Sequence, residues 1–394
     1  MSTVRPLFSA FVAFSFLIVL PFAAAQAAEP ADIANRLKDM LARRNVDLQW
    51  KNVGGDLSSM VLSGVTVGDA SGTDKRADLG DVTLTDVTED GDAYVIGNAS
   101  VPGYSVKNAG ITASITDFSI SGLRLPSPDS TDPMDSVMLY DSTKVGEISV
   151  KRGGKQVFDM TGFHVNITLP KGDEPLKFDS GADSFTADIP DVGDPKTKAV
   201  IKALGYETVK GSLAMAGSWA PKTGVASLDT SRLTIEDAGS LDISLKINGC
   251  TPEFMRSLDA IRKKIAEAPE DRTQWMAQVN LMQQISLGGA SIRFDDDSLT
   301  GKVMDYAAEQ QGAKRGDVAN QAKILLPFAL MRLNNPELTA EITKAVSTFL
   351  DDPKNLTIVA ALPNPMSIVE IAYGVKRAPF QLLQALGLQI IANQ

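Results

Sequence analysis

Two side chains that often carry catalysis or metal binding occur once each among the 394 residues, His164 and Cys250. A single histidine cannot supply the ligand cluster of a zinc site, and a single cysteine cannot form an intramolecular disulfide. His164 could act as a general base, but its alternating apolar and polar surroundings are more typical of a surface or hydrogen-bonded residue. Cys250 follows the apolar Ile247 and precedes a predicted helix, which indicates a packed thiol; the alternative is a reactive or intermolecular thiol.

Adjacent carboxylates are the other candidates for chemistry. Asp295, Asp296 and Asp297 could bind a cation or form an acid–base pair. Consecutive residues of a strand or turn point in different directions, so the three cannot all face one ion. We therefore predict that Asp297 or Ser298 caps the helix that follows. The acidic run at 89–92 is interpreted as a turn, because it lacks the ligand spacing of a calcium loop.

Motifs that identify common enzyme classes do not occur in the sequence: it has no nucleophile elbow, phosphate loop, dinucleotide fingerprint or zinc motif. We predict no catalytic residue, no metal site and no cofactor. A hydrolase that uses paired carboxylates stays open as an alternative, because acidic residues are plentiful and their pairing depends on the fold.

The charge balance is acidic, with 38 basic and 48 acidic side chains and a formal net charge of −10. An acidic surface is repelled by nucleic acid and by anionic lipid head groups. No basic stretch with interleaved aromatic residues offsets this repulsion. The sequence therefore predicts that the protein does not bind nucleic acid.

The first 27 residues have the pattern of an export signal. Arg5 precedes an apolar run from Leu7 to Leu20, and an Ala-rich stretch from Ala23 to Ala28 provides an Ala-x-Ala site. We predict cleavage after Ala27, a periplasmic location and no transmembrane span in the mature chain. An uncleaved anchor helix is the alternative, although the apolar run is shorter than the roughly 20 residues that a span needs.

The rest of the chain is strand-rich in its first half and mixed in its second half. Short runs that alternate apolar residues with Ser, Thr or Asp, punctuated by Gly, predict half-buried antiparallel strands from Leu48 onward. The predicted fold class is α+β: an extended antiparallel β-meander with a helical block in the C-terminal half. We predict one domain over 28–193, a helix plus meander, and another over 194–394, with a helix, a meander and the helical block. This repeated order could reflect a duplication.

The helical block is predicted from apolar stripes at helical spacing. Such stripes occur at 251–282, 298–311, 317–331 and 336–350. Each stripe must be covered by another part of the protein.

Two stretches of the second half resemble exported alphaproteobacterial proteins and, more distantly, the strand-rich repeats of AsmA-type envelope proteins. The residues that carry the resemblance are Gly211–Trp219, Leu228, Leu233–Ile235, Gly239, Leu241–Ser244 and Phe349–Ile358. The resemblance implies an envelope location and a long antiparallel sheet, and it brings no catalytic residues. We expect the protein to differ from the AsmA type in being shorter and in retaining no membrane anchor.

An apolar sheet face that no helix covers could bind a ligand. We expect the helices to close the C-terminal half and to leave the N-terminal meander open, so that a hydrophobic ligand would lie against strands between Leu48 and Leu169. The candidate contact residues are Val61, Val65, Val67, Ile120, Leu123 and Leu125.

Three functions are compatible with these patterns. The first is a non-enzymatic envelope protein whose curved sheet binds a lipid or another envelope protein. The second is a periplasmic scaffold that recognises protein partners through a sheet edge. The third is the carboxylate-dependent hydrolase. The oligomeric state is not predicted.

Overall fold

The structure is a computed structural model that describes residues 29–69, 76–170, 172–189, 195–268 and 272–394. The predicted export signal, its cleavage site after Ala27 and the domain boundary between 193 and 194 lie outside the described residues.

The described residues contain one large antiparallel sheet of sixteen strands. The strands are β1 (Val46–Gln49), β2 (Asn52–Asp56), β3 (Ser59–Asp69), β4 (Arg76–Asp90), β5 (Ala93–Asn108), β6 (Ile111–Leu125), β7 (Ser142–Arg152), β8 (Lys155–Thr168), β9 (Leu176–Asp188), β10 (Thr208–Ala220), β11 (Val225–Ile235), β12 (Gly239–Asn248), β13 (Ser286–Asp296), β14 (Asn355–Ala360), β15 (Met366–Ser367) and β16 (Leu388–Ala392). Their spatial order follows the chain from β3 to β14. β1 and β2 pair with β3, β15 pairs with β13, and β16 pairs with β14.

Most of the helices follow β12 in the chain. They are α1 (Pro30–Ala42), α2 (Pro195–Ala203), α3 (Pro252–Glu267), α4 (Arg272–Met282), α5 (Leu299–Gln311), α6 (Arg315–Leu330), α7 (Pro336–Asp351), α8 (Ile368–Arg377) and α9 (Pro379–Ala385). A short 3-10 helix at Pro133–Ser136 connects β6 to β7. The predicted α+β class, with an extended meander and a C-terminal helical block, is confirmed.

The sheet continues through the connection where two domains were expected to meet. β9 pairs with β10 from Asp188↔Thr208 to Leu176↔Trp219. The carboxylate of Asp188 also accepts hydrogen bonds from Lys155 Nζ at 2.7 Å and Thr208 Oγ1 at 2.8 Å, which links β8, β9 and β10. The expected halves therefore share one sheet.

Alternation along the strands separates an apolar face from a polar face, because directly paired residues of neighbouring strands lie on the same face. One row of partners across seven strands is apolar throughout: Ala182, Leu213, Leu233, Leu241, Phe294, Leu356 and Ala392. The row next to it, shifted by one residue, is polar: Ser212, Thr234, Ser240, Asp295 and Asn355. We call the first side of the sheet the apolar face.

Left-handed residues inside several strands interrupt the alternation. Leu62 and Val65 are three residues apart, yet both are 0% exposed, because Gly64 between them has φ +62°. Gly122, at φ +65°, has the same effect between Ile120 and Leu123. A residue without Cβ adopts this conformation without steric cost.

Helix α1 covers the apolar face at the N-terminal end of the sheet. Its buried side chains Ile33, Ala34, Leu37 and Met40 join one hydrophobic core with apolar residues of β1 and β3 to β6. Pro30 at the start of α1 suits a first helical turn, where its missing N–H would have no partner in the helix. This end of the sheet is an ordinary two-layer core.

The C-terminal helices cover other parts of the sheet. Phe254 and Leu258 of α3 and Leu281 of α4 form a second core, against which Ile247 of β12 packs. Helix α7 packs on β14 and β16, and its Phe349 contacts Phe294 of β13 edge-to-face, with ring centroids 6.3 Å apart. Helix α3 also contacts the 3-10 helix between β6 and β7, so it bridges one end of the strands between them.

The edge formed by β16 is also occupied. The carboxylate of Glu341 on α7 accepts a hydrogen bond from the backbone N–H of Ile390 at 3.0 Å. An exposed edge N–H is a template for pairing with another strand, and a side chain that takes this hydrogen bond blocks such pairing.

Candidate ligand-binding surface

His164 and Cys250 both have structural surroundings. His164 is half-buried, and its Nδ1 lies 3.0 Å from the carbonyl oxygen of Gly162. Cys250 packs against the second core, and burial raises the pKa of its thiol, which lowers the thiolate fraction that a nucleophile requires. The expectation of a packed thiol is confirmed.

The three consecutive aspartates have separate environments. Asp295 forms an ion pair with Arg293 at 2.8 Å. Ser298 occupies the N-cap position of α5, one of the two predicted residues, but its side chain makes no capping hydrogen bond. The Oδ1 of Asp296 accepts from the backbone N–H of Thr300 at 2.8 Å. Ser298 donates its hydroxyl hydrogen to the carbonyl of Asp237 instead, which orients it away from the helix. The carboxylate that accepts this N–H is therefore two positions before the N-cap residue, where side-chain capping is normally found.

Carboxylate pKa values give no support to acid catalysis. The aspartates with clearly perturbed pKa values are all shifted below the usual range by hydrogen bonds from neighbouring groups: Asp47, Asp56, Asp173, Asp188 and Asp305. A general acid needs a raised pKa instead. Among the described side chains, no group of three or more His, Cys, Asp or Glu could hold a metal ion.

The six predicted ligand contacts separate into three groups. Val65, Leu123 and Leu125 are at most 3% exposed and belong to the core beneath α1. Val67 and Ile120 are half-buried and pack against that core. Val61 lies between the buried Met60 and Leu62, so it faces the opposite side of the sheet.

The N-terminal meander, which we expected to be open, is covered in part. Helix α1 covers apolar residues of β1 and β3 to β6, whereas Val106 of β5 and Ile111 of β6 are 40% and 43% exposed. A larger set of exposed apolar side chains lies in the middle and C-terminal strands. We call this uncovered set the central apolar region; it consists of Met215, Leu241, Ile243, Ile292 and Ile358.

Each side chain of the central apolar region is between 37% and 46% exposed. Ile243, Ile292 and Ile358 are direct partners across β12, β13 and β14. Together the five side chains span β10 to β14, a distance of about 20 Å for strands spaced about 4.8 Å apart. Ile243, Ile292 and Ile358 are neighbours, whereas Met215 is separated from β12 by its β11 partner, Ser231.

The central apolar region is continuous with the covered parts of the same face. One row of paired residues runs from Ile120, which packs against the N-terminal core, to Met215. It alternates apolar residues with hydroxyl-bearing ones: Ile120, Thr143, Val165, Ser180 and Met215. Another row from β5 to β11 consists of Tyr104, Ile115, Ile148, Met160, Phe185, Gly211 and Ile235. The apolar face thus extends from β5 to β16, about 50 Å at this strand spacing.

Two glycines shape the surface of β10. A Cβ built on Gly211 would lie 2.8 Å from Cζ of Phe185, and one on Gly217 would lie 2.7 Å from Cζ of Phe178. Both rings therefore lie against glycine backbone, on either side of Met215 along β10. A strand glycine has no side chain to pack against its neighbours. An aromatic ring from the next strand that covers the glycine restores part of that packing.

The polar face has hydroxyl pairs and a shallow depression. Ser114–Ser149, Ser218–Ser227 and Ser244–Ser291 have hydroxyl oxygens 2.8–2.9 Å apart. A depression of about 660 Å³ lies around Ser244, Lys246 and Ser291. Its polar side chains are bonded to one another or are solvent-exposed, so it resembles a solvated surface.

The alternation of apolar and polar residues in β12 indicates the central apolar region, but by itself it predicts only a strand with one apolar face. The alternation of Leu241 to Ile247 predicts one apolar face for β12, and the structure confirms it. The missing information was which helix covers that face. This depends on contacts between elements far apart in the chain.

Comparisons with known proteins give a partial match. A family model described as "Uncharacterized protein" matches residues 232–393, which include β12 to β16 and the C-terminal helices. No curated protein matches the chain. Across the described part of the chain, no helix combines the length and apolar character needed to cross a membrane.

Proposed function

We propose that this protein is a non-enzymatic envelope protein that binds an elongated hydrophobic ligand, such as the acyl chain of a lipid, on the central apolar region. The observation that carries the proposal is the row Ile243, Ile292 and Ile358, whose apolar side chains remain exposed in a sheet that is otherwise covered at its ends. Covering them with hydrocarbon would contribute about 25 cal/mol per Å².

The shape of the surface favours a chain-like ligand. The exposed isoleucines follow a line across β12 to β14. On β10, Met215 lies between Gly211 and Gly217, each of which is in contact with a phenylalanine ring. The five side chains of the central apolar region have no hydrogen-bonding or charged group, and the hydroxyl of Ser231 lies beside Met215 on β11. Recognition would therefore depend mainly on apolar contact along the ligand's length. A polar head group would remain in solvent beyond the region.

The scaffold alternative has less support. Edge recognition requires unpaired backbone groups, and Glu341 occupies one such group on β16. At the other end, the edge is divided between the short strands β1 and β2, which pair with different parts of β3. Both edges therefore offer little continuous backbone to a partner strand.

An envelope location is part of the proposal. It is supported by the export-like pattern of the first 27 residues and by the resemblance to AsmA-type proteins. A periplasmic protein that shields acyl chains from water would be consistent with both.

Native mass spectrometry of the protein isolated from its own envelope tests the proposal. We expect a bound lipid mass on the wild-type protein and its loss in Ile292→Asp, because a carboxylate there faces the hydrocarbon. Thr357→Asp is the matched control, since Thr357 pairs with Arg293 on the polar face. Loss of lipid from both variants, or from neither, would contradict the proposal if both remain folded.

A further inference from the structure

The two ends of the apolar face differ in exposure along the same strands. On β5, Ile96 and Val101 are at most 4% exposed, whereas Val106 is 40% exposed. On its partner β6, Leu125 is 0% exposed, whereas Ile111 is 43% exposed. The apolar face therefore has a closed end, where β5 begins and β6 ends, and an open end at the hairpin that joins them.

Helix α3 lies across the closed end of the strands from β7 to β11. It begins directly after β12 and contacts the 3-10 helix that lies between β6 and β7. A helix of 16 residues is about 24 Å long. β6 and β12 are six strand spacings apart, which is about 29 Å. The helix is therefore long enough to cover most of the distance between its two contacts.

The end of α1 is linked to the far contact of α3. Arg43 donates from Nη2 to the carbonyl oxygen of Pro128 at 3.3 Å, in the connection between β6 and β7. Burial lowers the pKa of the neighbouring Arg44, and the carboxylate of Asp259 on α3 acts in the opposite direction. Asp259 is thus within electrostatic reach of α1. The far half of α3 is held by the 3-10 helix and by a charge on α1.

The two halves of α3 differ in burial. Phe254 and Leu258 are buried in the second core, where they pack with Ile247 of β12. Ile261 packs at the margin of that core. Among the side chains that the structure describes at 259–267, none is buried. A segment with few buried apolar contacts opens at a lower free-energy cost than a core segment. The far half therefore separates from its contacts more readily than the near half.

We propose that α3 is a strap that closes one end of the apolar face. Its near half is fixed by Phe254 and Leu258, and its far half is held releasably by Arg44 and the 3-10 helix. Release of the far half would uncover the ends of β7 to β11 and lengthen the apolar surface that a ligand can contact. The strap itself does not depend on a ligand, whereas its effect on ligand binding rests on the proposed function.

A charge swap followed by hydrogen–deuterium exchange of the full-length protein tests the strap. Asp259→Arg places a like charge near Arg44. We expect exchange at least about fivefold faster in peptides covering 126–141 and 259–268, because opening the contact exposes their amides. The peptide covering 252–258 should be unchanged. The double variant Arg44→Asp, Asp259→Arg should restore the wild-type exchange. Glu253→Arg, with the same change of charge in the first turn of α3, is the matched control.

Unchanged exchange in Asp259→Arg, or a double variant that fails to restore it, would overturn the proposal. Faster exchange throughout α3, including 252–258, would also overturn it, because the helix would then open as a whole. Native mass spectrometry of the same variants measures lipid occupancy, which should change in Asp259→Arg and return in the double variant. Wild-type protein without lipid would contradict the proposed function, whereas the exchange results would still decide whether the strap exists.

Discussion

Val61 and Val65 show how one residue's conformation determines the role of its neighbours. Both are valines of β3 in an alternating sequence, and both were candidate ligand contacts. The left-handed Gly64 places Val65 on the same side as Leu62, under α1, while Val61 faces the other side. The sequence predicted the strand, but strict alternation does not reveal which side Val65 takes after the left-handed residue.

Substituting the two valines with aspartate should have opposite effects. Val65→Asp places a carboxylate in a site with 0% exposure and no partner, and we expect a loss of about 3 kcal/mol or more in the free energy of unfolding. Val61→Asp is the control on the opposite face, where solvent reaches the side chain. Urea unfolding of both variants measures the difference. Equal stability of the two would show that Val65 is not a core residue.

Asp188 should make stability depend on pH. Hydrogen bonds from Lys155 and then Thr208 lower its pKa below the ordinary value of 3.8. Its stabilising contribution is therefore complete above that ordinary pKa and is lost as pH falls through the lower folded-state pKa. Asp188→Asn should unfold at lower urea than wild type near neutral pH and should approach wild type below about pH 4. A difference that stays constant with pH would contradict this assignment.

Secondary structure was the most predictable level of the fold. Thr251 with Pro252 and Asn335 with Pro336 indicate helix starts, and the structure has those helices with side-chain caps from Thr251 and Asn335. Two adjacent glycines in a strand, Gly288 and Gly289, indicate a bulge, and the structure has a register shift opposite them, between Lys246 and Ile247. These features depend on a few adjacent residues, so local sequence is sufficient to predict them.

Glu341 should protect the β16 edge. Glu341→Ala leaves the N–H of Ile390 without its partner, which costs about 1 kcal/mol and exposes a strand edge. We expect a small loss of stability together with concentration-dependent association, measured by light scattering. Glu337→Ala, at the first turn of the same helix, is the control. A monomeric Glu341→Ala protein of wild-type stability would show that the hydrogen bond has no protective role.

At the scale of the whole molecule, one sheet face is apolar over most of its length, while the helices cover only parts of it. The sequence could predict the face, because alternation is local. It could not predict the covered parts: α1 reaches back over β3 to β6, and α3 reaches from β12 to the segment between β6 and β7. The site that we propose from the structure therefore lies on β10 to β14, whereas the site that we predicted from the sequence lay on the N-terminal strands.

Photo-crosslinking in living cells tests the central claim most directly. A benzophenone amino acid at Ile358 faces the central apolar region, and at Val359 it faces the opposite side of the same strand, so the adjacent positions form a matched pair. Mass spectrometry of the irradiated, purified protein reports any covalent adduct. We predict a lipid adduct at position 358 and none at position 359. The absence of an adduct at 358, or equal adducts at both positions, would contradict ligand binding on the apolar face.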